Sequence, residues 1–145
     1  VLKKIDVITI NDEEARQLSG EYSLVKAAQK ICAMGPKYVV IKKGEHGALL
    51  FYDGKVFFAP ALPLEEVFDP TGAGDTFAGG FIGYLAGTHD ISFENMKRGV
   101  IYGSNLASFN VEKFGTQRME YLTKPEISDR LNEFKQLTQF DIELQ

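Results

Sequence analysis

Two short β-branched runs, at residues 5–10 (Ile-Asp-Val-Ile-Thr-Ile) and 38–41 (Tyr-Val-Val-Ile), set the fold class, because helical patterns fill the stretch between them. A hairpin needs only a short turn, whereas a connection that contains helices brings the second strand back parallel to the first, as a βαβ unit. Asn11 and Glu14 have capping-box spacing, with Asn in the place usually held by Ser or Thr, and predict a helix through about Leu18 that Ser19-Gly20 breaks. Leu24, Ala27, Ala28, Ile31 and Met34 form one face of a second helix, stopped by Gly35-Pro36. Residues 48–52 and 55–59 flank Asp53-Gly54, the strongest short signal for a two-residue hairpin. Two prolines deny regular pairing to residues 60–66. The expectation is an α/β domain with a mainly parallel sheet, helices on both faces and an antiparallel hairpin at one edge.

The stretch Asp69-Pro70-Thr71-Gly72-Ala73-Gly74-Asp75-Thr76-Phe77 reads as a tight glycine loop running into a helix. The first helical turn has N–H groups without intrahelical partners, and with the macrodipole they make a site for an anion such as a phosphoryl group. Gly72 and Gly74 let the backbone come close to that anion, and Asp75 places a proton acceptor beside it. The bland alternative is a glycine turn before an ordinary helix whose acidic first turn complements the dipole. What separates the two readings is the combination of Asp69 and Asp75 flanking the loop with two threonines beside them.

The helix is predicted from about residue 74 to 86. Phe77, Ala78, Phe81, Ile82, Leu85 and Ala86 form one apolar stripe, expected to be buried. Gly79, Gly80 and Gly83 each cost about 1 kcal/mol relative to Ala inside a helix, which makes sense if this helix packs closely on something. Ser92 can cap a following helix to about Phe109, and a last amphipathic helix after Lys124-Pro125 carries Ile127, Leu131, Phe134 and Leu137.

The glycine loop and helix resemble the second signature of the ribokinase-like (PfkB) carbohydrate kinase family. The resemblance implies that Asp75 is the general base and that Gly72, Ala73 and Gly74 form the anion hole for the transferred phosphate. It implies ATP and Mg2+ as cofactors, and a sugar or nucleoside hydroxyl as the small-molecule acceptor. A monovalent cation such as K+ would be held partly through Asp69 and Thr71, a dependence that varies among members. Asn11-x-x-Glu14 matches a motif that helps place magnesium and phosphates; taken alone, it reads equally well as a helix cap. Gly44-x-x-Gly47 matches a nucleotide-phosphate loop, which without the resemblance would be a turn with solvated lysines. Lys42 falls where relatives have Thr or Lys, and which of Lys42 and Lys43 faces inward is open. Residues 110–115 look like the late loop that closes the adenine and cation sites. Ser104 then falls near the adenine position, with Asn105 as the alternative.

With 16 Lys plus Arg against 20 Asp plus Glu, and no basic cluster, the chain announces no nucleic-acid or acidic-membrane surface. One cysteine excludes an internal disulfide framework, and no apolar run approaches the roughly 18 residues of a membrane span, so a reducing cytoplasm is expected. A dinucleotide-binding oxidoreductase is disfavoured: the third glycine of its fingerprint is missing, and the loop does not follow the first strand. There is no Walker A sequence either. The resemblance covers nearly all of the 145 residues but only the carboxy-terminal half of a family member. Residues 1–145 are therefore expected to be the nucleotide-binding and catalytic part, with the amino-terminal half absent. The alternative is an incomplete, non-catalytic fragment that at most binds nucleotide. Members often dimerise through elements outside this part, which leaves a homodimer open.

Overall fold

The computed structural model describes residues 1–64, 72–112 and 122–144. Strands β1 (Val7–Asn11) and β2 (Tyr38–Lys42) pair in parallel, with Val7 opposite Tyr38 and Asn11 opposite Lys42. Strands β3 (Ala48–Tyr52) and β4 (Lys55–Ala59) form the hairpin, and β3 pairs antiparallel with β2, giving the order β1-β2-β3-β4. The α/β architecture and the hairpin at one edge are as expected. The share of parallel pairing is smaller: among the described residues one pairing of three is parallel, because the hairpin docks directly on β2. Its turn has the left-handed backbone that the residue pair predicts, with φ 46° at Asp53 and 74° at Gly54.

Helices α1 (Asp12–Ser19) and α2 (Leu24–Ala33) provide the crossover between β1 and β2. They cover one sheet face, where Ala15, Ala27, Ala28 and Ile31 pack with Val39, Ile41 and Phe51. Helices α3 (Ala73–Thr88) and α4 (Phe93–Glu112) cover the other face, where Phe77, Phe81, Met96 and Val100 meet Tyr38, Val40 and Leu50. Successive β2 residues thus serve opposite layers, and Tyr38 to Ile41 are all buried, as expected of a strand covered on both faces. Helix α5 (Lys124–Thr138) lies on α4. The Arg130 guanidinium pairs with Glu112 at 2.7 Å and stacks 3.8 Å from the Phe109 ring centre, and the Asn105 amide donates to the Ile127 carbonyl at 3.1 Å.

Helix α4 packs over β3 and β4, and α3 packs beside it with Phe77 and Phe81 in the same core as Tyr38 and Val40 of β2. The two helices approach closely at glycine. A Cβ at Gly80 would lie 2.8 Å from Leu106 Cδ1, and one at Gly103 would lie 2.7 Å from the Phe77 carbonyl oxygen. The expected apolar stripe of α3 divides at this point. Phe77 and Phe81 are buried and Leu85 is half-buried, but Ile82 is 62% exposed and Ala86 is exposed as well. The physical reason is direction: the sheet lies under Phe77 and Phe81 and α4 comes in beside Gly80, so the opposite side of an almost wholly apolar helix has no neighbour among the described residues. Of the three glycines that called for close packing, Gly80 has it, while Gly79 and Gly83 face open space.

Candidate functional site

Parallel register brings the carboxyl ends of β1 and β2 together and sets Asn11 opposite Lys42. This is the end of a parallel pair where loops leave the sheet and where α/β domains bind ligands. Helix α3 starts at the same end. Gly72 caps it with φ 84°, a conformation that favours glycine, and its carbonyl accepts from the Thr76 amide at 2.9 Å. Among the described residues no side chain caps this helix, and its first amides have no intrahelical acceptor.

The sequence left two lysines open, and the structure brings Lys42 to α3. Its Nζ lies 3.0 Å from where a Gly74 Cβ would sit and 5.6 Å from the Phe77 ring centre. An ammonium is therefore held against the first turn of α3, and among the described residues no carboxylate pairs with it. The positive end of the helix dipole and the lysine charge add at one place, which favours a polyanion over a neutral ligand. Glycine at position 74 is what makes room for the ammonium. Asp75 follows in the same turn, exposed, one residue beyond the lysine contact.

Asn11 and Glu14 form a complete capping box: the Glu14 amide donates to Asn11 Oδ1 at 2.8 Å, and the Asn11 amide donates to Glu14 Oε1 at 3.0 Å. Both side chains remain exposed at the sheet end that carries Lys42. Gly44–His46 is a single 3-10 turn closed by the Lys43 amide donating to the Gly47 carbonyl at 2.8 Å. Gly44 is exposed with φ 58°; Gly47 is buried, and a Cβ there would lie 2.3 Å from the Ala59 carbonyl, so the fold itself demands glycine at 47. Ser104 is half-buried in α4 with its hydroxyl donating to the Val100 carbonyl at 2.9 Å. Its alternative, Asn105, is wholly buried, and its amide nitrogen donates to the Ile127 carbonyl of α5. Asp69 and Thr71 lie outside the described residues, as do residues 113–115 of the expected late loop; residues 110–112 belong to α4 rather than to a loop.

One residue at this end was not singled out from the sequence. Asn110, wholly buried near the end of α4, has its amide nitrogen 3.6 Å from the Cβ position of Gly72. It backs the glycine turn from the helix side. The signal that could have found it is a buried-face asparagine placed by helical spacing from Gly103 and Ala107, polar where its neighbours are apolar. A shallow groove of about 330 Å³, lined by Phe57, Ile101, Leu131 and Phe134, contains none of the candidate residues. No described helix is long and apolar enough to cross a membrane.

The chain matches the family model described as pfkB family carbohydrate kinase over residues 1–123. It is 42% identical to the cytidine kinase of Thermococcus kodakarensis over 90 residues, which are 60% of this chain and 32% of that protein. The ribokinase of Thermotoga maritima superposes with a TM-score of 0.76 at 29% identity, over 90% of this chain and 43% of that one. Arabidopsis thaliana ribokinase, solved in complex with ribose and ATP, gives a TM-score of 0.74 at 28% identity, over 90% of this chain and 42% of that one. The chain thus spans less than half the length of each of these proteins. A family match over residues 1–123 and a shared architecture lead to one assignment: the chain belongs to the pfkB family of carbohydrate kinases.

Proposed function

We propose that this chain is the nucleotide-binding and catalytic part, the carboxy-terminal half, of an ATP-dependent kinase that phosphorylates a hydroxyl of a sugar or nucleoside in the cytoplasm. The observation that carries the reading is the Lys42 ammonium held against the glycine turn that starts α3, with Asp75 in the same turn. Phosphoryl transfer to an alcohol needs donors for the charge on the moving group and a base for the hydroxyl proton. The amides of residues 72–74 and the Lys42 ammonium are the donors, fixed before the ligand arrives, so little reorganisation is required. Asp75 accepts the proton of the attacking hydroxyl. ATP supplies the transferred phosphoryl group, and Mg2+, a hard cation, takes mostly phosphate oxygens, with Glu14 and Asn11 within the same end of the sheet. Gly44 and Gly47 shape the turn that follows Lys42, Ser104 lies on the adenine side, and Asp69 with Thr71 holds K+.

A second reading has an observation of its own. Asp75 is exposed, and no described residue forms a wall from which an acceptor could be presented or water excluded. By itself the chain would then bind nucleotide without turning it over. Calorimetric titration of Mg-ATP into the 145-residue chain and its Gly74→Val variant tests the common part of both readings. The added side chain displaces Lys42 and crowds the anion hole, so binding should fall at least tenfold. Equal affinity in the two proteins, both folded by circular dichroism, would sink the assignment. In a complete enzyme, Asp75→Asn should lower kcat by about 100-fold to 10,000-fold with KM for ATP little changed.

A further inference from the structure

The seam between α3 and α4 runs antiparallel, and its close approaches end at the glycine turn. Along α4, Gly99 meets Phe81, Gly103 meets Phe77, and Asn110 meets Gly72. The start of α3 therefore rests on the last turn of α4. A helix end is the part most prone to fray, because its last carbonyls have no intrahelical partners. Here α5 holds that end. The Arg130 guanidinium pairs with Glu112 at 2.7 Å, donates to the Ser108 hydroxyl at 3.2 Å and stacks on the Phe109 ring at 3.8 Å. Ser108 and Glu112 lie one helical turn apart, so a single side chain bridges the last turn of α4 from outside. The Ser108 hydroxyl in turn donates to the Asn105 carbonyl at 2.5 Å. With its side chain only 13% exposed, Arg130 is little screened by solvent, and a cation at a helix carboxyl end is favoured by the dipole. Helical spacing puts Asn110 on the other side of this same turn, against Gly72.

We infer that Arg130 is a positioning residue for the glycine turn: it fixes the last turn of α4, and Asn110 carries that constraint to Gly72 and the first amides of α3. Gly72 is where the constraint matters, since its carbonyl accepts the Thr76 amide that starts the helix. Amides held in place before an anion arrives bind it without reorganisation, so a loosened turn binds phosphate more weakly. The effect on the turn stands on packing alone, whereas the effect on nucleotide rests on the kinase reading. The family match ends at residue 123 and α5 begins at Lys124, so the support comes from an element beyond the matched region.

Amide hydrogen exchange in the ligand-free 145-residue chain tests the proposal. The Thr76 amide donates to the Gly72 carbonyl and the His89 amide to the Leu85 carbonyl, both at 2.9 Å, so they report on opposite ends of α3. In Arg130→Ala, exchange at Thr76 should quicken about tenfold or more, with His89 within about twofold. Arg130→Lys, the milder variant should the first not fold, keeps the charge but loses the planar stack on Phe109, and should quicken Thr76 about threefold. Leu131→Ala, at the next position of α5, loosens the packing of that helix without touching the bridge and should leave the ratio of the two rates within about twofold of wild type. A ratio unchanged in both Arg130 variants, or changed as much by Leu131→Ala, overturns the proposal. Asn110→Ala should also quicken Thr76, and adding Arg130→Ala should do no more than the larger single change; independent, multiplying effects overturn the route through Asn110. Mg-ADP titration of the same proteins separates the two readings. A quickened Thr76 in a chain that binds no nucleotide removes the kinase reading alone, and binding weakened with the exchange ratio unchanged removes the positioning role alone.

Discussion

On the side of α3 that meets α4, added atoms at glycine would collide: a Cβ at Gly80 lies 2.8 Å from Leu106, one at Gly99 3.2 Å from the Phe81 ring and one at Gly103 2.7 Å from a backbone oxygen. On the side that carries Asp75, Gly79 and Gly83 have nothing within 4 Å. Both sides are made of the same residue types, small and apolar. The first is an interface within the chain and the second meets no described residue, so helix composition alone does not tell which side is covered.

The contrast predicts effects that differ in size and in sign. Gly103→Val, with backbone on the receiving side, should destabilise the chain by about 3 kcal/mol in urea unfolding. Gly80→Ala meets mainly the movable end of Leu106 and should cost about 1–2 kcal/mol. Gly83→Ala should go the other way and stabilise by up to about 1 kcal/mol, since helix propensity is the only term that changes. A loss of stability at Gly83 would mean that the open side is already filled in solution. The smallest effect concerns the turn that joins α3 to α4. The Ser92 amide donates to the Asp90 carboxylate at 2.8 Å, and this bond, with the Ser92 hydroxyl, holds the Asp90 carboxyl below its ordinary value of 3.8. A lowered folded-state value means that the stabilisation is complete above the unfolded value and disappears as pH falls through the folded one. The small Tm difference between the wild type and Asp90→Ala should therefore be constant from neutral pH down to about 5 and shrink as the acid is titrated.

Local chemistry was legible in the sequence, and direction was not. Asp53-Gly54 and its flanking strands, the Asn11–Glu14 box and the start of α3 follow from neighbours along the chain, and the structure has them at or within a residue or two of the expected places. The split of the α3 stripe does not follow. Ile82 and Phe81 are equally apolar, and only the approach of α4 beside Gly80 decides which of them is covered. Lys42 and Lys43 are likewise equal on paper. Pairing fixes the register of β2, and with it which lysine reaches Gly74. Asn110 was hidden for a related reason: its partner in space, Gly72, is far away in sequence and belongs to another helix. Among the described residues the edge hairpin contributes the antiparallel pairings, beside the parallel β1–β2 pair that the helical crossover predicts.

The central claim is that the first turn of α3 and Lys42 together receive the phosphates of a nucleotide. The most direct measurement is a two-dimensional amide spectrum of the labelled 145-residue chain titrated with Mg-ADP. The account predicts that the amides of Ala73, Gly74 and Asp75 shift first and furthest, that those of β2 near Lys42 follow, and that Lys42→Ala weakens the response at least tenfold. Saturable shifts confined to other positions, such as the groove lined by Phe57, Ile101 and Phe134, with the α3 amides unmoved, would contradict it.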